Sequence, residues 1–346
     1  MNQIKIYLFS IIVTISANAF SQHIEVAKLD SAITFADKLI ETDPREFFKN
    51  VESYIVWSQG NIILEKYYHG NRDTLHHTQS QTKSVVALLM GIAIDKGFIT
   101  SENVPVSSYF PEHFNADDKL KSSVTIRDLL TMSAGFEWEE MIPANDPGND
   151  NMNMYNSGDY LHYALSRPMA LKPGSEFKYN SGCPVIIAGI IEKATHQPLD
   201  KFAETYLFGP LNIEDYYWLK DSTGFCHAGG GLYLRPVDML KIGVLVQNKG
   251  KWEDKQIISE QWITKMTQAY FVTSFDNSSY GFFWWIKEIQ TTNGNITKMI
   301  SAEGAGGQKL YIFMDYKLII AFTEHNYNTP QASPIFIKES IVPILQ

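Results

Sequence analysis

Ser80-Gln81-Thr82-Lys83-Ser84 opens an apolar run, Val85 to Ile94, that stops at Lys96-Gly97. The spacing predicts a helix from about Ser80 to Lys96, with Gly97 as its C-cap. Residues three apart on a helix share a face, so the Ser80 hydroxyl and the Lys83 amine can meet. A helix N-terminus carries free N–H groups and the positive end of the dipole, which favour a developing alkoxide. A lysine serves as a base only if its pKa falls from about 10.4 toward 7, which costs roughly 4–5 kcal/mol. Burial and a hydrogen-bonding or cationic neighbour are the means. A capping serine followed by a lysine also occurs by chance, so S-x-x-K alone does not separate a nucleophile from a cap.

Two further stretches bear on the choice. Phe177-Lys178-Tyr179-Asn180-Ser181-Gly182 leads into an apolar helix, Pro184 to Ile191. A tyrosine there either brings a phenol beside Lys83 as a proton shuttle or packs in the core above a capped helix. Glu303-Gly304-Ala305-Gly306-Gly307-Gln308 leads into a strand, Lys309 to Met314. Glycines at a strand edge let a substrate approach the backbone, and a main-chain N–H here would pair with that of Ser80 around an oxyanion. A plain flexible turn has the same composition. As a dinucleotide loop the stretch fails, since no helix follows it.

Around these stretches the chain reads as mixed. Ile24 to Ile40 is amphipathic at helical spacing, and Ser53–Ser58 and Asn61–Tyr68 form a hairpin about Gln59-Gly60. Between about 101 and 269, Thr125–Met132, Asp159–Leu165, Pro184–Ala194 and Pro236–Val246 carry helical periodicity, and Ala144–Asp159 is the longest loop-like piece. Strands return at Tyr280–Ile286, Lys309–Met314 and Leu318–Thr323, before a last helix with Ser333 as N-cap, Pro334 at its first position and an end near Val342. Strands at both ends with helices between predict an α+β fold: one antiparallel sheet built from both chain ends, flanked by helices, with an inserted mainly helical subdomain. The aromatic run Phe282-Phe283-Trp284-Trp285 reads as sheet faces. Trp138 and Tyr155 sit on turn-rich segments and either line a pocket or pack at the surface.

Met1 to Gln22 has the pattern of a signal peptide: Lys5, the apolar run Ile6–Ile15 and the small-x-small site Ala17-Asn18-Ala19. The run is too short to span a bilayer. An exported protein, periplasmic or secreted, with no membrane span in its mature form is expected. Lys and Arg number 29 against 38 Asp and Glu, a net charge of −9. That balance argues against nucleic acid as a partner, which calls for a basic surface. Cys183 and Cys226 either bridge in an oxidising compartment or remain buried thiols. The histidines, including His76, His77 and His227, show no metal-ligand spacing. A triad of Ser80, a histidine and Asp128 lacks the G-x-S-x-G elbow.

Taken together, the order and spacing of the motifs resemble the β-lactamase-related serine hydrolases of the class C type. That family includes class C β-lactamases, D-alanyl-D-alanine peptidases, carboxylesterases and 6-aminohexanoate-dimer-type amidases. The resemblance extends through Val124-Thr125-Ile126-Arg127-Asp128-Leu129-Leu130-Thr131-Met132-Ser133-Ala134-Gly135, through Pro173 to Gly182, and through Gly229-Gly230-Gly231-Leu232-Tyr233-Leu234-Arg235-Pro236-Val237-Asp238-Met239. It implies a β-lactamase/transpeptidase-like fold: residues 1–21 as signal peptide and 22–346 as one domain, with an α/β half of 22–100 plus 270–346 and a helical half of 101–269. It implies Ser80 as acylated nucleophile, Lys83 as its base and Tyr179 as the tyrosine of the Y-x-N motif. Ser181 stands at the third position of that motif, with Asn180 one place early. The backbone of Ser80 and Gly307 would form the oxyanion hole, and Ser181, Gly304, Gly306 and Gln308 would touch substrate. Gly304-Ala305-Gly306 stands where penicillin-recognising members carry Lys-Thr-Gly or His-Thr-Gly, a lysine or histidine that helps hold the substrate carboxylate. Its replacement favours a small-molecule ester or amide as substrate over a penicillin or a D-alanyl peptide. No metal or organic cofactor is implied. A penicillin-interacting cell-wall enzyme and a non-catalytic binding homologue are the alternatives.

Overall fold

The computed structural model describes residues 24–114 and 118–346. The expected signal peptide, residues 1–21, lies outside the described residues. The first strands are β1 (Val51–Ser58), β2 (Asn61–Tyr67) and β3 (His76–His77), followed by β4 (Tyr216–Trp218), β5 (Leu232–Leu234), β6 (Lys251–Trp252) and β7 (Lys255–Gln256). The C-terminal strands are β8 (Phe271–Val272), β9 (Ser279–Tyr280), β10 (Trp285–Gln290), β11 (Ile296–Gly304), β12 (Gln308–Phe313) and β13 (Leu318–Glu324).

Eight strands form the main sheet in the order β2-β1-β13-β12-β11-β10-β9-β8, every pair antiparallel. Both chain ends therefore build it, and the fold is the expected α+β, β-lactamase/transpeptidase-like one. Gln59 and Gly60 both take positive φ in the first hairpin, the conformation that a two-residue turn between twisted strands demands.

Successive side chains on a strand point to opposite faces, and both faces of this sheet are covered. Ile55 and Trp57 of β1, Leu310 and Ile312 of β12, and Ile319 and Ala321 of β13 enter one core with the helices Gln81–Asp95, Gly182–Thr195 and Pro236–Gln247. Tyr54 and Val56, Tyr311 and Phe313, and Leu318, Ile320 and Phe322 enter the other, under the helix Val26–Thr42 and the C-terminal helical segment. The helix Gln81–Asp95 is buried from Gln81 to Ala93. It runs through the middle of the larger core rather than over its surface, which is why its sequence is apolar all round.

Several local expectations are corrected. Ala144–Asp159 contains a helix, Asp150–Asn156, capped by the Asn149 side chain on the Met152 N–H. Tyr280–Ile286 is not one strand: β9 ends at Tyr280, and Gly281 to Trp284 turn before β10, with the Gly281 N–H on the Trp284 carbonyl and Phe283 at φ 59°. Phe282, Phe283 and Trp284 are therefore buried turn residues, and only Trp285 is on a strand. The last helix begins at Ser333, with Ala332 at the cap position, because the Ser333 N–H is already held by Glu324. Cys183 and Cys226 are separate buried thiols. Among the described residues no helix is long and apolar enough to cross a membrane.

Candidate active site

The helix that opens at Gln81 is fastened at its mouth. The Thr78 N–H and hydroxyl both donate to the Leu232 carbonyl, at 2.9 and 2.7 Å, and the Leu232 N–H donates to Thr82 Oγ1 at 3.1 Å. β3 pairs with β5 on the same side, so the strand after the glycine run Gly229-Gly230-Gly231 is pinned against the first helical turn. Gln79 is left-handed at φ 52°, a conformation that costs a non-glycine residue roughly 1–2 kcal/mol. It turns the chain so that Ser80 begins the helix at the cleft, as the N-cap without a side-chain capping bond. Its hydroxyl is thus free of the capping duty that the sequence alone also allowed.

Lys83 Nζ lies 2.9 Å from Ser80 Oγ and donates a second hydrogen bond to the Gly229 carbonyl. The lysine is 1% exposed. Burial lowers its pKa to about 8, although the nearby Glu140 carboxylate pulls the other way. Tyr179 lines the cleft together with Ser80, and the Lys83 ammonium lies 5.1 Å from the centre of the Tyr179 ring. Burial, with Glu140 adding to it, raises the phenol's pKa well above its usual value, so Tyr179 is a neutral O–H at any ordinary pH.

Tyr179 owes its place to both neighbours in sequence. The Lys178 N–H donates to the Met132 carbonyl at 2.7 Å. Asn180 Oδ1 then accepts from Gly182 and Cys183, capping the helix Gly182–Thr195. Ser181 lines the cleft, but its N–H and Oγ both bind Glu140, at 2.7 and 2.9 Å. Trp138 lies beneath this point and donates its indole N–H to Glu140 at 2.6 Å. Glu140 was not singled out in the sequence: it sits in a loop without a motif, and only the fold carries it to the helix start at Ser181.

The cleft encloses about 730 Å³, within the range of small-molecule sites. On one side the Tyr179 ring stacks on Trp285, with centroids 6.1 Å apart, and Phe275 meets both edge-on. Tyr155, Met152 and Leu219 also line it. Tyr155 thus takes the pocket option, whereas Trp138 takes neither, since it is buried in the larger core. His227 lines it too, with burial lowering its pKa to about 4, so the ring is neutral. Asp128 is committed elsewhere, accepting from the Thr125 N–H and hydroxyl in a capping box, and is no partner for a histidine triad.

The glycine stretch divides. Gly304 ends β11 on the cleft wall, so close to the turn before Ser80 that a Cβ there would lie 2.3 Å from the Thr78 carbonyl oxygen. Gly306, Gly307 and Gln308 do not line the cleft. Gly306 (φ 78°) faces the Tyr327 ring, Gly307 (φ 96°) faces the Glu324 side chain, and Gln308 is buried with its amide on the Glu324 carbonyl. The chain turns away after Ala305, so the strand edge on the cleft with Ser80 is Gly304–Ala305, and Gly307 faces away.

The sequence pattern of the Beta-lactamase family matches residues 52–334. The 6-aminohexanoate-dimer hydrolase of Paenarthrobacter ureafaciens is 24% identical over 307 residues, covering 83% of this chain and 75% of its own. Among solved structures, EstCE1, a hydrolase with promiscuous acyltransferase activity, superposes with a TM-score of 0.72 at 15% identity, over 91% of this chain and 99% of its own. The octameric penicillin-binding protein homologue from Pyrococcus abyssi does so with a TM-score of 0.66 at 20% identity, over 92% and 77%. At these identities the structural likenesses speak for the fold.

Proposed function

Since this chain belongs to the Beta-lactamase family, we propose that it is an exported serine hydrolase that opens an ester or amide bond through an acyl-enzyme on Ser80. The observation that carries this reading is the Ser80 hydroxyl 2.9 Å from the buried Lys83 amine, in a cleft that the Tyr179 phenol also lines. In its neutral form Lys83 donates to the Gly229 carbonyl and accepts the Ser80 proton as Oγ attacks the substrate carbonyl. The negative charge that develops on the carbonyl oxygen is held by the Ser80 N–H and a main-chain N–H of the Gly304–Ala305 edge. One such donor is worth about a hundred- to thousandfold in rate. As the tetrahedral intermediate collapses, the bond to the leaving group breaks and Tyr179 supplies the leaving group's proton. The Lys83 ammonium then reprotonates the phenol. In the second half, water gives a proton to Lys83 while its oxygen bonds to the acyl carbon, and Ser80 leaves and regains its proton.

The apolar cleft beside this group suits a small-molecule ester or amide. The similarity to a 6-aminohexanoate-dimer hydrolase supports amide chemistry. Export to the periplasm or the medium rests on the leader-like residues 1–21, and N-terminal sequencing of the secreted form tests it. The catalytic reading is tested with p-nitrophenyl butyrate and a fluorophosphonate probe on the purified protein. Hydrolysis, and a covalent adduct mapped to Ser80, are expected, and both vanish in Ser80→Ala. An unlabelled wild type, or an active Ser80→Ala, refutes it.

A further inference from the structure

Four residues that line the cleft carry formal charges: Glu140, Asp276, Glu303 and Lys309. Among these lining residues Lys309 is the one cation, and it is not available. Its amine is in a direct ion pair with Glu303 Oε2, across the pair of β11 and β12 residues that stand opposite each other. The other oxygen of Glu303 is fixed as well, accepting from the Ser301 hydroxyl at 2.7 Å. Ser301 is 1% exposed and Lys309 8%, so the amine is set into the wall, while the half-buried Glu303 covers it from the cleft side. It belongs to the strand end that meets the nucleophile turn, since Glu303 precedes Gly304, whose Cα abuts Thr78 and Gln79.

We propose that Glu303 is a specificity-determining residue: by holding Lys309 it closes the cleft to substrates whose acyl group carries a carboxylate and reserves it for neutral or cationic esters and amides. This rests on the hydrolase reading above. The physical reason is charge. A carboxylate entering the cleft meets the Glu140 carboxylate and finds Lys309 and Lys287 already paired with Glu303 and Asp276, in a partly desolvated space where like charges repel more strongly than in water. Displacing Glu303 from Lys309 would leave a half-buried carboxylate unpaired, a cost that offsets the gain from the new pair. Repulsion of the wrong partner is as effective a source of selectivity as attraction of the right one.

The test compares p-nitrophenyl butyrate with mono-p-nitrophenyl glutarate, which adds one carboxylate to the same acyl chain. The wild type is expected to favour the neutral ester in kcat/KM. In Glu303→Gln the amide keeps the size but frees Lys309, and the glutarate-to-butyrate ratio should rise about tenfold or more. In the double variant with Lys309→Met the ratio should fall back. Lys309→Met alone, which leaves the carboxylate unpaired, should lower the ratio further and serves if Glu303→Gln does not fold. A ratio unchanged in Glu303→Gln, or equally raised in the double variant, overturns the proposal. If the wild type hydrolyses neither ester, the hydrolase reading has failed. The charge proposal is then read by calorimetric binding of mono-p-nitrophenyl glutarate to Ser80→Ala, with tighter binding in Ser80→Ala/Glu303→Gln expected and equal binding overturning it.

Discussion

Lys83 is held where an ammonium is poorly solvated, and its lowered pKa, about 8, has two measurable consequences. In the mechanism proposed above hydrolysis requires the free amine, so kcat/KM should climb with pH and level off above an apparent pKa near 8. The neighbouring histidines do not account for such a limb, because burial pushes both His77 and His227 below the usual imidazole value. No fall on the alkaline side is expected from Tyr179 in the assay range, since its phenol ionises only well above 10. A stopped-flow or steady-state pH profile checks this. The second consequence is for stability. The unfolded chain binds this proton more tightly than the native one, so stability attributable to Lys83 rises as pH climbs from about 8 toward 10.5. Below that window the buried ammonium costs about 3 kcal/mol, at ~1.4 kcal/mol per tenfold change in proton affinity. Lys83→Met should therefore be inactive yet melt higher than the wild type at pH 7, with the gap narrowing toward pH 10.

At the level of elements, three junctions assemble the site: the left-handed turn at Gln79 into the helix Gln81–Asp95, the Asn180-capped start of the helix Gly182–Thr195, and the end of β11 at Gly304. The last is the tightest. Gly304→Ala would put a methyl 2.3 Å from the Thr78 carbonyl oxygen and 2.9 Å from Gln79 Cβ, and backbone must move to admit it. The strand end and the nucleophile turn would separate, and a misplacement on the order of 1 Å is enough for about a hundredfold loss in kcat. Circular dichroism with ester kinetics on Gly304→Ala should show native secondary structure and that loss. Hydrogen bonds of Gln81 to the Ala302 carbonyl and of Ser84 to the Phe283 carbonyl hold the same helix to β11 and to the turn before β10. The site geometry is thus tied to elements 199 and 221 residues away in the chain.

Across the whole molecule the sheet separates a catalytic-side core from a second core that never approaches Ser80. Phe336 stacks on Phe322 and Tyr54 in that second core, with centroids 5.3 and 5.9 Å apart. Phe336→Ala should cost about 3–5 kcal/mol of stability while leaving KM for p-nitrophenyl butyrate at 25 °C unchanged, because the cavity opens on the opposite face of the sheet. Thermal melts and kinetics on one preparation check both halves of that statement. Much of the architecture was legible beforehand: the Gln59-Gly60 hairpin, the apolar helix after Ser80 and the strands from Gln308 and Leu318 follow from turn chemistry and side-chain period. β11 was not legible, since Ile296 to Gly304 mixes lysine, threonine, serine and glutamate and shows its strand character only between β10 and β12. The place of Gly307 was equally hidden, because glycine tolerates either course of the chain and Glu324, seventeen residues on, decides which way the turn faces. By itself the sequence determined the local periods and the presence of a serine, a lysine and a tyrosine each at the mouth of a helix. Tertiary structure alone decided that these gather at one cleft, that Glu140 stands behind Ser181, and that Glu303 neutralises Lys309. The physical reason is that helix and turn propensities act over a few residues, whereas burial and charge pairing depend on which distant segments the cores bring together.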